Sequence, residues 1–182
     1  MELTLSYVLS QVFIIINYAL LGLSYYCKNR KTVLIISFMA VIANGLSYVF
    51  LNAYSGLAMC ILALIRNIIF LVDEKKNGKS DKITKKDVII LIILYAIAIV
   101  SAIFTYEGVL SLLSVVGTML YTYSVWQKKT IVYKFMGIPV GISWIIYNIY
   151  IMSIFGIILE TVLLFCSTSG YILELRKSKI KQ

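Results

Sequence analysis

Histidine is absent from this 182-residue chain, and proline occurs once. Without histidine the chain lacks the commonest metal ligand and the commonest proton carrier near neutral pH. Cysteine is scarce too: Cys27, Cys60 and Cys166 are an odd number with no metal-like spacing. They are expected to be reduced thiols used in packing. Charge is the largest deficit. Only 14% of residues are charged, against 61% hydrophobic, and a soluble domain carries roughly a quarter charged residues. Lipid must therefore be the solvent for most of the surface.

Uninterrupted apolar runs longer than about 18 residues fill the chain, and they lack the alternation of a barrel strand. Backbone inside lipid must satisfy its own hydrogen bonds, which here means helices. The fold class expected is all-α, a polytopic membrane protein. Acids are also few, eight against seventeen lysines and arginines, for a net charge of +9. In a soluble chain this excess would suggest nucleic acid. In a membrane chain basic residues gather at cytoplasmic span ends, so no nucleic-acid partner is expected.

The polar segment 73–87 is the one long break in the apolar sequence. Span one is residues 5–27, with no small-residue cleavage site to mark a removable leader. Residues 32–72 would make a single helix roughly 60 Å long, twice the hydrocarbon thickness. They therefore read as two spans, 32–51 and 55–72, turning through Asn52, Ala53, Tyr54, Ser55 and Gly56. Thr84 and Asp87 can cap the helix after the polar loop. The same length argument divides the remainder into spans 88–105, 109–126, 133–151 and 155–174, with breaks at Thr105 to Gly108 and Met152 to Gly156.

Seven spans place every lysine and arginine except Arg66 after span one, three, five or seven. Glu2 and Glu107 sit at the opposite ends. The basic side is the cytoplasmic one, so the N-terminus is expected outside and the C-terminus inside. Shifting the chain by 100 residues overlays its punctuation: Ser24 on Ser124, Lys28 on Lys128, Gly56 on Gly156 and Glu74 on Glu174. The domains expected are a three-helix bundle over 1–74 and a cytoplasmic loop over 75–87. A linker span over 88–106, a second bundle over 107–175 and a basic tail over 176–182 complete the chain. Three spans, one linker and three more put both triplets in the same orientation, a parallel repeat of the kind transporters use.

This three-one-three layout resembles the SWEET sugar facilitators and the nicotinamide riboside transporters. In detail the chain is similar to the bacterial inner-membrane YgjV family. The resemblance lies in Leu46, Asn52, Tyr54, Gly56, Leu64, Arg66-Asn67 and Phe70, and in Pro139, Trp144, Tyr147-Asn148, Ser153, Gly156 and Glu160. It implies a facilitator working by alternating access. SWEET proteins carry prolines on several helices, however, and this chain has only Pro139. Neither their rocking motion nor their sugar specificity transfers with the layout.

Polar residues inside spans are costly and mark candidate sites. Arg66 and Glu160 are the only charges well inside spans. They fit a solute-lining role, or Arg66 snorkels to the interface and Glu160 locks helices. Trp144, Tyr147 and Asn148 share one region of a helix, where an indole beside an amide suits a ring-shaped solute. An interfacial aromatic belt fits as well. Asn17, Asn44 and Asn67 suit a solute or a neighbouring helix. Pro139, between Gly137 and Gly141, is the hinge candidate, and the glycine pair equally allows close helix packing. Tyr25, Tyr26, Tyr121, Tyr123 and Tyr150 fall near span ends and need only the belt explanation.

The function expected is transport of a small polar metabolite such as a sugar, nucleoside or vitamin. The alternative is a non-transporting subunit that binds a partner or senses. No acid, base, nucleophile or metal constellation points to an enzyme, and no cofactor is expected. The expected partners are the bilayer and a small solute, with assembly into a homo-oligomer left open. A single cysteine placed at position 80 or 182 of a cysteine-free variant is expected to react with impermeant maleimide only in inverted vesicles. Labelling of the two positions from opposite sides would break the span count.

Overall fold

The computed structural model describes residues 5–52, 54–77, 83–104, 108–109, 112–150 and 152–180. Among these there are seven helices and no strand: α1 Leu5–Ser24, α2 Arg30–Phe50, α3 Tyr54–Asn77, α4 Lys85–Phe104, α5 Leu112–Trp126, α6 Thr130–Tyr150 and α7 Ile154–Ile180. Five of them, α1, α2, α4, α6 and α7, are long and apolar enough to cross a membrane. α5 is a shorter apolar helix. Large apolar side chains point outward along them, such as Val12 and Ile16 on α1, Ile92 and Ile103 on α4, and Phe165 on α7. Polar ones turn inward, among them Ser10, Asn17, Ser37, Asn67, Asn148 and Ser167. This inversion of the soluble pattern fits hydrocarbon as the solvent, since apolar side chains lose nothing there and polar ones must find partners inside.

The chain forms two compact units, residues 1–79 and 80–182. In the first, α2 packs on both α1 and α3. In the second, α6 packs on both α5 and α7, and α4 lies against α5. The helix bounds repeat. α2 and α6 have 21 residues each, begin at 30 and 130 and end at 50 and 150. α3 and α7 begin at 54 and 154. Both middle helices stop in the same way. Asn52 at φ 53° and Met152 at φ 55° turn the chain left-handed, 100 residues apart. Their amides bond back to Val49 O at 3.1 Å and Ile149 O at 3.1 Å. Asparagine tolerates this conformation well, and methionine does so at a cost of about 1 kcal/mol or more. The weak break expected near Met152 is thus a true helix end, and Ser153 caps α7 by accepting from Gly156 N at 3.3 Å.

Several hydroxyls inside helices bond their own backbone, as lipid supplies no alternative. Ser24 Oγ donates to Leu21 O at 2.5 Å and Ser124 Oγ to Tyr121 O at 2.6 Å, again 100 residues apart. α4 opens with a reciprocal cap. Thr84 N and Oγ1 donate to Asp87 Oδ2 at 2.8 and 2.9 Å, and Asp87 N donates to Thr84 Oγ1 at 3.4 Å. Trp126 Nε1 donates to Asp87 O at 2.9 Å, tying the end of α5 to the start of α4. Tyr25 departs from the belt expectation. It is buried in the core, because it follows the α1 end directly and the turn carries it inward.

An ion pair closes the basic end of each unit. Arg30 at the start of α2 pairs with Glu74 near the end of α3. Lys134 Nζ near the start of α6 reaches Glu174 Oε2 on α7 at 2.8 Å. Each pair therefore sets two helix ends carrying lysines at the same end of its unit. Lys134 is almost fully buried and Glu174 only partly. Glu174→Gln strands the ammonium and is expected to destabilise the protein by about 2–3 kcal/mol, toward the low side of a broken buried pair. Thermal unfolding of the full-length protein in detergent reads this. The double change Lys134→Met with Glu174→Leu is expected to recover most of the loss, and Lys75→Gln on the exposed surface to change nothing.

Candidate functional site

The polar residues fall into two sets, one in each unit. In the first unit the ion pair fixes the register of α2 against α3. Asn44 lies fourteen residues on from Arg30, and Cys60 fourteen back from Glu74. Asn44 Nδ2 indeed meets Cys60 Sγ at 3.5 Å. Ser37 and Asn67 are each seven residues from their ends of the pair, so they occupy the same level nearer the basic end. Both are fully buried. Asn67 Oδ1 accepts from Arg66 Nε at 3.3 Å. Asn67 Nδ2, Ser37 Oγ and Ser47 Oγ have no hydrogen-bond partner among the described residues. Buried polar atoms left this way cost roughly 1–3 kcal/mol each; those of Ser37 and Asn67 share one level of α2 and α3, and Ser47 lies ten residues further along α2.

Arg66 is 7% exposed, and Asn17 on α1 is buried as well. The Arg66 side chain is thus enclosed by protein, with its Nε on Asn67. Asn44 is half-buried and bonds across to Cys60 of α3, and its neighbour Gly45 faces the same helix near Cys60 and Leu57.

In the second unit the indole of Trp144 lies over Gly117 of α5. A Cβ at Gly117 would stand 2.8 Å from Trp144 Nε1 and 3.1 Å from Cδ1. Tyr147 meets the indole edge-on, with centroids 5.7 Å apart and planes at 84°. Trp144 is thus seated on a neighbouring helix. Asn148 is buried across the start of α7, where a Cβ at Gly156 would sit 2.6 Å from Asn148 Cγ. Glu160 is 7% exposed on the packed face of α7, which also carries Leu163, Ser167 and Gly170. Ser167 Oγ donates to Lys134 O at 2.6 Å and staples α7 to α6.

Of the hinge candidates, Pro139 lies inside the continuous α6, and its own carbonyl accepts from Ser143 Oγ at 2.9 Å. Gly141 allows close packing, since a Cβ there would lie 3.3 Å from Leu164 Cβ. Gly137 is buried on the same helix. Sequence reasoning does not single out Gly117, Ser37 or Ser47, nor Arg30 and Lys134 as ion-pair partners. Glu74 and Glu174 are the available signal, as acids among basic ends at the repeat distance. Among the described residues no cluster of histidine, cysteine, aspartate or glutamate could hold a metal ion.

A family model described as Imp-YgjV, bacterial inner membrane protein, matches residues 8–177. No curated protein and no solved structure matches.

Gly117→Ala must displace the indole. In a Trp126→Phe background, where Trp144 is the one remaining tryptophan, its emission maximum is expected to shift. Stability is expected to fall by about 1–3 kcal/mol, as for other overpacked contacts. Unchanged emission would mean that Trp144 is not seated on α5.

Proposed function

The chain belongs to the Imp-YgjV family of bacterial inner membrane proteins, and on that footing we propose that it is a facilitator-like transporter of a small polar metabolite. In this reading the seven helices all cross the bilayer in a three-one-three order. The N-terminus is outside, the C-terminus is cytoplasmic, and no covalent chemistry is performed. The proposal includes alternating access for a solute such as a sugar, nucleoside or vitamin.

The observation that carries it is the set of buried, unsatisfied polar atoms of Ser37 and Asn67 at one level of α2 and α3, with Arg66 bonded to Asn67. In a purely structural bundle such atoms would be replaced by apolar ones at no loss. A polar molecule entering there would complete their hydrogen bonds. The duplicated unit supports the same reading, because transporter folds are commonly built from repeats. Arg66, Asn67, Asn17 and Asn44 in the first unit and Trp144, Tyr147, Asn148 and Glu160 in the second are assigned to solute binding. Pro139 with Gly137 and Gly141 is assigned to bending of α6. With no histidine in the chain, Glu160 is the intramembrane group suited to carrying a proton.

Purified full-length protein in liposomes is expected to show saturable uptake of at least one member of a panel of radiolabelled sugars, nucleosides and vitamins. Asn67→Leu, which fills the seam with an apolar side chain, is expected to lower that uptake about tenfold or more while preserving thermal stability. A panel giving neither flux nor a thermal shift would sink the transport reading, and co-purification of a stoichiometric partner protein would favour a subunit role.

A further inference from the structure

The basic end of the second unit brings four helix ends onto one surface. Trp126 Nε1 donates to Asp87 O at 2.9 Å, so α5 ends where α4 begins. Residues 127–129 turn directly from α5 into α6. Lys134 Nζ on Glu174 Oε2 at 2.8 Å sets the end of α7 beside the start of α6. Within three residues of these ties stand five exposed cations: Lys85 and Lys86 on α4, Lys129 between α5 and α6, and Arg176 and Lys177 on α7. The carboxylates among the described residues at this end are those of Asp87 and Glu174. The first accepts from Thr84 N and Oγ1 at 2.8 and 2.9 Å, and the second from Lys134. The surface is therefore strongly positive, with both carboxylates already engaged by the protein. Membrane topology asks only that basic residues lie on one side. It does not ask that they share one surface whose helix ends are tied together.

The side chains next to the cations identify what covers them. Val88 and Ile89 on α4, Phe135 on α6, and Ile172 and Leu173 on α7 are exposed and apolar. Ile89 is four residues from Lys85, and Leu173 four from Lys177, about 6 Å along each helix. α4, α6 and α7 are long and apolar enough to cross a membrane, so this apolar belt faces acyl chains. A phospholipid carries its phosphate just outside its acyl chains. A lipid lying along Ile89 or Leu173 therefore sets its phosphate against the cations, and the long basic side chains reach toward it. A soluble anion would use the charges and leave the belt unused. We propose that this end of the second unit is a docking surface for anionic phospholipids, selected over zwitterionic ones by the net charge of the headgroup. The proposal is independent of the transport reading.

The test places full-length protein in detergent micelles holding equal amounts of phosphatidylglycerol and phosphatidylcholine with the same acyl chains. Retained lipid is counted by mass spectrometry of the intact protein. Phosphatidylglycerol is expected to be retained about fivefold or more over phosphatidylcholine, and salt of about 0.5 M is expected to shrink the preference. The combined variant Lys85→Gln, Lys86→Gln, Lys129→Gln, Arg176→Gln and Lys177→Gln is expected to bring the two lipids within about twofold, with its gel-filtration profile unchanged. The milder pair Lys129→Gln with Arg176→Gln is expected to lose part of the preference. Lys31→Gln, Lys75→Gln and Lys76→Gln, which remove exposed charges from the first unit, are expected to leave it in place. Equal retention of the two lipids by the unaltered protein would overturn the docking surface, whether or not an acidic protein co-elutes. So would an undiminished preference in the five-site variant, or displacement of the lipid by soluble glycerol phosphate at the same concentration.

Discussion

Hydrocarbon offers no hydrogen bonds, and that constraint organises the whole molecule. Every polar side chain within a helix must bond its own backbone, bond a neighbouring helix or gather with others away from lipid. Serines take the first course, as at Ser24, Ser124 and Ser143. Asn44 and Ser167 take the second, bridging to the next helix. Ser37 and Asn67 share one level of α2 and α3 with unpartnered polar atoms, and Ser47 holds another further along α2. Once the first two uses are accounted for, the remainder among the described residues is small.

Charge obeys the same rule at the ends. The carboxylates near the basic ends of α3 and α7 are joined to basic residues on the adjoining middle helices. Each pair sets the register of two antiparallel helices, and that register then decides which residues meet deeper in the unit. The encounter of Asn44 with Cys60 follows from the pairing of Arg30 with Glu74, counted down both helices. A one-turn slip would separate them by about 5 Å.

The 100-residue period supplies an internal comparison. Helix bounds, left-handed helix ends and an ion-paired glutamate near the end of the third helix of each trio recur at 100 residues, although few side chains are identical. Spacing recurs where backbone geometry demands it, while matched positions inside the helices differ in size, polarity and charge, as Asn44 and Trp144 or Cys60 and Glu160 do.

The elements themselves were legible in the residues. Long apolar runs, their length against the bilayer, the Thr84 and Asp87 cap and the breaks at Asn52 and Met152 all rest on local chemistry, which acts within a few residues. The 100-residue period was legible for the same reason, since turns and basic ends punctuate the chain. Which side chains meet was not. The seating of Trp144 on Gly117, the burial of Arg66 and Tyr25 and the ion pairs depend on helix rotation and register. Apolar helices in lipid carry little pattern that states their rotation, because lipid-facing and partner-facing positions are filled by similar residues. Close packing between neighbouring helices decided those contacts, and with them the composition of the candidate site.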